Sequence, residues 1–553
     1  MRSIISFLTL GLFVLSSAVS GQALVGNYEQ DPAYPSTNKP FSAPFSVNAT
    51  TDKFGAIIRH ISTLYVDDVD ENELVESAIV AMLEKLDPHS IYIPKEELQD
   101  MNAPLKGNFD GIGVRFQILK DTIMVVNPIP GGPSEKLGIR AGDKIVTIEG
   151  ETVAGVGIRN SGVRDRLLGK KGTVVNVGVH RKGENELLEF EITRDKIPLY
   201  SVDASYMVTD KIGYVKVNNF AQTTIREFSN AVIKLKQQGM ESLVLDLQGN
   251  GGGYLNTAID LADQFLEDGK LVVYTEGRAF PKYESHATSL GLFEKGDLVV
   301  LIDESSASAS EIVSGALQDW DRGLLVGRRS FGKGLVQRQI DLPDSSAMRL
   351  TISRYYTPTG RSIQKPYDEG IEAYHREKYE RYISGELMNE DSVHFPDSLK
   401  FKTKMTNRLV YGGGGIMPDV FVPIDTSYNS DYFSSLIRKG ILNTFALDYV
   451  DKHRNIMVRK FKTFEQFDIG FDADEVMEEL IAYAEKEGLE KDKEDLKTSR
   501  YAIRIRLKAS IASNLFDYES FYRVINDLNP ALQEAVRILE SGEIKEMNLV
   551  YNK

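Results

Sequence analysis

Between residues 198 and 363, short apolar runs rich in β-branched residues alternate with helical patterns, and this alternation leaves few folds open. The runs "KIGYVKV", "SLVLDL", "KLVVYTE", "DLVVLID" and "GLLVGR" read as strands. The intervening "TTIREFSNAVIKLKQQG", "LNTAIDLADQFL" and "EIVSGALQDW" space apolar residues at three and four, as helices do. Strands that are apolar throughout, joined by helices, predict a largely parallel sheet buried on both faces. "LVQRQIDLP" and "AMRLTISRYYTPTG" are expected to close this region as a hairpin.

Two junctions in that region are unusual. "DLQGNGGG" is a glycine loop between a strand and a helix. "DESSASASE" places Ser305, Ser306, Ser308 and Ser310 at the next such junction. Side-by-side parallel strands would bring both loops to the carboxyl ends of the sheet, where folds of this kind place their sites.

The serine stretch admits two readings. Ser308, followed three residues later by Glu311 ahead of an amphipathic helix, is a capping box and needs no chemistry. Viewed alone, the motif favours the cap. The alternative is a nucleophile: Ala307 and Ala309 keep the approach to Ser308 open, and a helix N-terminus offers free N–H groups to a developing oxyanion. A nucleophilic serine needs a base. The chain has no cysteine, and none of its seven histidines has local company. Lys333 in "SFGKGLVQ" is the next candidate, since burial disfavours its charged form and lowers its pKa. Gly332 and Gly334 let its backbone approach neighbours closely. Gln337 lies on the same face of an extended strand and can hold the amine by a hydrogen bond. A rival, Ser330-x-x-Lys333, matches the S-x-x-K signature, but that motif requires a helical turn and here follows a strand with glycine inside it.

"SSASASEIVSGALQD" followed by "VGRRSFGKGLVQ" closely resembles the C-terminal processing peptidases, or tail-specific proteases. The resemblance extends to "GIGV", "DLQGNGGG", "TPTGRSIQ" and "GGGIMPDV", over roughly residues 50–425. It implies Ser308 as nucleophile, Lys333 as general base and Gln337 as its orienter. It places the oxyanion donors on the amides of Ala309 and of a glycine in "GNGGG", Gly252. The β-rich stretch of residues 107–195 resembles a PDZ domain, with Gly111, Ile112, Gly113 and Val114 as its carboxylate loop. Where relatives read "RNNPGG" or "RNNGGG", this chain has Gln248-Gly249-Asn250-Gly251.

The expected architecture is multidomain α/β. Residues 1–23 read as a secretory signal peptide, with Arg2, an apolar run from Ile4 to Leu15 and small residues after it. Residues 24–49 read as a linker, 50–106 as a helical N-terminal region and 107–195 as the PDZ module. An α/β protease core follows over 196–428, with a polar insertion at 366–411, and a helical region over 429–553. That last region carries no motif; it is open to roles as a wall bounding the substrate, a homo-oligomerisation arm or an adaptor surface. Asn529 is expected to cap a helix that begins at Pro530.

The functional expectation is an exported, periplasmic serine endopeptidase acting on proteins with free C-terminal tails, without a cofactor or metal. After signal cleavage no membrane span is expected, and the net charge of −15 argues against a nucleic-acid partner. The alternatives are a PDZ scaffold on an inactive core, and an acyl-transfer or hydratase enzyme on a similar α/β spiral.

Overall fold

The computed structural model describes residues 46–547 and 549. The expected signal peptide and all but the end of the expected linker lie outside those residues. The first helix begins at Ser46, ahead of the boundary expected at residue 50.

The core is a six-stranded sheet in the order Val202–Met207, Ile212–Val217, Ser242–Asp246, Leu298–Ile302, Leu324–Gly327, Val420–Phe421. Its first pair is antiparallel and every later pair is parallel. The strands Ile212–Val217 and Leu298–Ile302 are buried along their whole length. On one face lie the helices Thr224–Gln237, Leu255–Asp263 and Ala309–Asp319. Phe228, Ala231, Val232 and Leu235 form the buried stripe of the first of these. The other face is covered by Ala531, Leu532, Ala535 and Ile538 of the helix Pro530–Ser541, near the end of the chain. Asn529 caps that helix as expected, accepting from Leu532 N at 3.3 Å. The two-sided burial read from the strands is therefore completed by a segment about two hundred residues further on in the chain.

One expected member leaves this sheet. Leu271–Glu276 pairs antiparallel with Tyr283–His286 and with Ala347–Tyr356, in a second sheet that also holds Ile91–Ile93 and Leu335–Asp341. The physical reason is its side-chain pattern. It buries alternate stretches and ends exposed, whereas its neighbour Leu298–Ile302 is apolar and buried throughout. The hairpin Leu335–Asp341/Ala347–Tyr356 forms as expected, but in this second sheet.

The PDZ-like module is a sheet of strand order Val114–Ile118, Ile123–Pro128, Lys144–Ile148, Val174–His180, Leu188–Thr193, with Glu151–Thr152 beside the third. It has its own apolar core. Its second strand also buries Met124 and Val126 with Leu119 against Leu447 of the helix Ile441–Lys460. Lys120 pairs with Asp448 at 3.0 Å, and Arg115 Nη2 donates to Ser513 O at 3.1 Å. The helical region thus holds the module in place through the strands Val114–Ile118 and Ile123–Pro128 and the turn between them. Among the described residues no helix is long and apolar enough to cross a membrane.

Candidate active site

The glycine loop follows the strand Ser242–Asp246, and the serine loop follows Leu298–Ile302. These strands are parallel neighbours, so both loops emerge at the same end of the sheet. Hydrogen bonds stitch them together. Ser306 Oγ donates to Leu247 O at 2.8 Å, Ser310 Oγ to Asn250 O at 2.8 Å, and Ala307 N to Asn250 O at 3.0 Å.

These bonds separate the four hydroxyls by task. Ser306 and Ser310 tie the loops, and Ser305 Oγ accepts from Lys378 Nζ at 2.8 Å. Ser308 and Glu311 face each other as in a capping box, and Ser308 N donates to Glu311 Oε2 at 2.8 Å. Yet among the described residues the Ser308 hydroxyl makes no cap bond and has no partner. Its backbone sits at φ 60°, ψ −112°, a conformation that a non-glycine residue holds only under constraint. A free hydroxyl on a strained strand-to-helix turn suits a nucleophile, while a cap would have used the hydroxyl.

Lys333 precedes the strand Leu335–Asp341. Gly332 and Gly334 do let the chain pack closely here. A Cβ on Gly332, where φ is +89°, would lie 3.0 Å from Gly415 N, and one on Gly334 would lie 3.0 Å from Gln364 N. The Lys333 side chain is 1 % exposed. Burial, and then the Arg349 guanidinium, bring its pKa down to about 7, against the opposing charges of Asp87 and Glu311. Nζ donates to Gln337 Oε1 at 3.1 Å. The expected pair forms, though not by plain strand alternation. Lys333 itself lies ahead of that strand, and the register slips opposite Gln337, where Ile352 of Ala347–Tyr356 is the extra, unpaired residue.

Ser308 and Lys333 are linked through their backbones rather than by a direct bond. Tyr355 Oη donates to Ser308 O at 3.0 Å and to Lys333 O at 2.8 Å. Glu311, fully buried, accepts at Oε2 from Ser308 N (2.8 Å) and Lys333 N (2.9 Å), and at Oε1 from Ser330 Oγ (2.5 Å) and Gly332 N (2.7 Å). Burial pushes its carboxyl up to about 7, opposed by those hydrogen bonds. Neither Glu311 nor Tyr355 is visible in the sequence as a member of the site. Glu311 is legible there only as the far end of a capping box.

Gly252 packs directly on Ser308; a Cβ there would lie 2.8 Å from Ser308 Cβ and 3.1 Å from Ala309 N, at φ +107°. Its own amide donates to Asn250 Oδ1 at 2.8 Å. Ala309 opens its helix, where the first amides lack intrahelical acceptors. Ser308 has no exposed surface.

Gly111, Ile112, Gly113 and Val114 form the turn into the strand Val114–Ile118, which is an open edge of the module's sheet. Ile112, Gly113 and Val114 line a groove of about 380 Å³ with Phe109, Phe116 and Leu167. The helix Lys95–Lys106 lies at its mouth, where Asp100 pairs with Arg164 at 2.6 Å. Among the described residues, no group of three or more His, Asp or Glu side chains is placed to hold a metal ion.

The profile of Peptidase family S41 matches residues 211–373, a PDZ domain profile matches 111–192, and the N-terminal domain of the activating protease CtpB matches 21–97. A family of unknown function, DUF8443, matches 432–517. The carboxy-terminal-processing protease of Bartonella bacilliformis is 37 % identical over 369 residues, covering 66 % of this chain and 80 % of its own length. The carboxy-terminal processing protease CtpB of Bacillus subtilis is 31 % identical over 419 residues, covering 75 % and 84 %. Among solved structures, a photosystem II D1 C-terminal processing protease aligns at TM-score 0.34 and 27 % identity, over 68 % of this chain and 88 % of its own. With its S41 core and PDZ domain, this chain belongs to the carboxy-terminal processing proteases.

Proposed function

We propose that the protein is an exported serine endopeptidase that recognises the free C-terminal tail of its substrate through the PDZ domain and cleaves by a Ser308–Lys333 dyad. The observation that carries this reading is the pairing of an unpartnered, strained Ser308 hydroxyl with a buried lysine of lowered pKa, both pinned by one carboxylate. Ser308 Oγ attacks the scissile carbonyl carbon while its proton passes to neutral Lys333 Nζ. As the C–N bond breaks, the ammonium returns that proton to the leaving amine. Water then attacks the acyl-enzyme, giving a proton to Lys333, and the proton ends on Ser308 Oγ. Gln337 holds one N–H of the amine. Ala309 N, with an amide of the loop at Gly251–Gly253, receives the oxyanion. Gly252 serves as that donor once its amide is released from Asn250; its missing side chain already keeps the space before Ala309 open.

Export rests on the N-terminal Arg2, apolar and small-residue sequence, and places the enzyme in the periplasm. Tail capture rests on the groove beside the open strand edge, where an extended chain adds as a strand and backbone amides hold its carboxylate. Purified residues 24–553, incubated with a protein carrying an apolar unstructured tail, are expected to cut it and to leave an acyl adduct on the Ser308 peptide in a rapid-quench mass spectrum. An adduct elsewhere, or none with turnover intact, refutes the assignment.

Two expected results follow from the geometry. Lys333 works only as the neutral amine, so activity rises with pH through a limb near 7, the value to which burial lowers it. His89 is not its source. Burial, and then the charge of Lys333, take His89 down to about 2, so it stays neutral throughout. Replacing any single histidine is expected to leave the limb in the pH–kcat profile; loss of the limb with one histidine argues against a lysine base. Amidating the substrate's C-terminus removes the carboxylate that the Gly111–Val114 turn binds. KM is expected to rise roughly tenfold, the equivalent of about 1.4 kcal/mol, and an unchanged KM would show that the tail is read elsewhere.

A further inference from the structure

The short sequence "LDPHS" closes the N-terminal helices, and nothing in the reaction above uses it. Yet Asp87, His89 and Ser90 are all buried, at 7 %, 8 % and 4 % exposure. Polar groups taken from water need compensating bonds, so a turn this polar and this buried is held for a reason.

The bonds lead to the lysine. Asp87 Oδ1 accepts from His89 N (2.8 Å), Ser90 N (2.9 Å) and Thr351 Oγ1 (3.1 Å), and Oδ2 accepts from Ser90 Oγ (2.6 Å). Thr351 N in turn donates to Ser90 Oγ at 3.1 Å. The carboxylate therefore shapes the turn and seats it on Thr351. Thr351 is the residue directly opposite Gln337 in the hairpin. Seated there, the turn presents the His89 carbonyl to Gln337 Nε2, which donates to it. The two ends of an amide are not equivalent. With Nε2 committed to His89 O, Oε1 must face Lys333 Nζ, and it does, at 3.1 Å. The far side of the turn is fixed as well: the His89 ring meets Tyr374 edge-on, with Nε2 and Oη 2.7 Å apart.

We propose that the Asp87–Ser90 turn is a positioning device for the catalytic lysine: Asp87 holds the His89 carbonyl where it fixes the Gln337 amide, which in turn fixes the amine. This rests on the Ser308–Lys333 reading. A neutral amine has two N–H bonds and one lone pair. Anchoring one N–H on Gln337 limits the directions the lone pair can take. Freed from His89, Gln337 can turn its Nε2 toward the amine and the anchor is lost. The N-terminal segment, remote in sequence, thus completes the site.

The charged groups facing Lys333 are Arg349 from its own sheet, Glu311 from the nucleophile helix and Asp87 from this turn, with His89 neutral beside them. Arg349 favours the free amine; Asp87 and Glu311 favour the ammonium. Neutralising Asp87 therefore lowers the lysine's pKa further, and the ascending limb moves to lower pH.

The test is kinetic, on the full chain, with a tailed protein substrate. Asp87→Ala is expected to lower kcat about 10- to 100-fold, part of the roughly 10²- to 10⁴-fold that a well-positioned general base supplies, with KM unchanged. Asp87→Asn, which keeps an acceptor for the two turn amides, is expected to recover part of that loss while shifting the limb to lower pH. The decisive arm is the Asp87→Ala/Gln337→Ala double variant. If Asp87 acts through Gln337, the double variant is no slower than Gln337→Ala alone, within about twofold. If Asp87→Ala melts without a cooperative transition, Thr351→Val, which removes only the hydroxyl that seats the turn, carries the same cycle with a smaller loss. Multiplicative losses in the cycle, or a rise in KM with kcat intact, overturn the proposal. Ser308→Ala and Lys333→Ala run alongside. Turnover in either refutes the dyad itself; inactive dyad variants with wild-type kinetics in Asp87→Ala and Thr351→Val refute the positioning role alone.

Discussion

Cleavage is expected to cease in Ser308→Ala and in Lys333→Ala, each with the fold intact. Ser308 Oγ has no partner to lose among the described residues, so its removal leaves no buried group there unsatisfied and the melting temperature should hardly change. Lys333 Nζ bonds Gln337 from a site in which its charged form is already disfavoured, so alanine costs packing volume rather than an ion pair. Groups that act as one unit lose nearly everything singly, and the expected fall in kcat is on the order of 10⁴- to 10⁶-fold for either variant. The double variant should be no worse than the poorer single. Ser330→Ala separates this dyad from the S-x-x-K alternative. Ser330 Oγ donates to Glu311 and accepts from Ile416 N at 2.6 Å, so both of its roles are committed to structure. Its loss is expected to cost about 1–3 kcal/mol of stability through the orphaned Ile416 amide and to leave substantial turnover. Turnover assays and thermal melts on the three variants decide the matter. Full activity in Ser308→Ala, or none in a folded Ser330→Ala, moves the nucleophile to Ser330.

Glu311→Ala is expected to be the most damaging substitution outside the dyad. One buried carboxylate accepts from Ser308 N, Lys333 N, Gly332 N and Ser330 Oγ, and so pins the Ser308 loop to the Lys333 loop. Removing it orphans four donors where water cannot replace it. Each such donor costs about 1–3 kcal/mol, so the local loss is several kcal/mol, a large part of the ~5–15 kcal/mol that holds a typical domain. The Ser308 backbone, at φ 60°, is also released from the contact that constrains it. We expect kcat to fall at least about a hundredfold, as expected for a displaced catalytic group, together with a clear drop in melting temperature. Glu311→Gln does not rescue it. The amide end would face two N–H donors at the Oε2 position, or an N–H and a hydroxyl at the Oε1 position, in place of an acceptor, because each carboxylate oxygen already accepts twice. Near-normal kinetics in Glu311→Ala, with the same melting temperature, would show that the two loops are held by Tyr355 and the strand pairing alone.

Some of the site was legible in the sequence because it is set by local rules. Strand–helix alternation predicted the parallel core, and adjacent parallel strands predicted that the glycine and serine loops would meet. Two glycines beside Lys333 predicted close backbone packing, and the residue spacing suggested Gln337 as its partner. The stretch 366–411 read only as a polar insertion in the core. In the fold, its Tyr374 and Arg381 are buried. Arg381 donates to the carbonyls of Arg329 and Ser330, at 2.7 and 3.0 Å, directly behind the lysine loop. Periodicity gave no sign of this, because an amphipathic pattern reports which residues face away from water and not which polar groups will find buried partners.

By itself the sequence determined most of the elements and the residue types able to carry the chemistry, since these follow from side-chain period, turn composition and helix capping. Only the tertiary structure decided which of four neighbouring serines keeps a free hydroxyl, because that depends on where the partners of the other three fall in space. It also decided that Leu271–Glu276 leaves the parallel sheet, that Gly252 gives its amide to Asn250, and that Gln337 meets a carbonyl 248 residues away. The common reason is that a hydrogen bond between distant segments is chosen by desolvation and geometry once the chain is packed. No local stretch contains the cost of leaving that bond unmade.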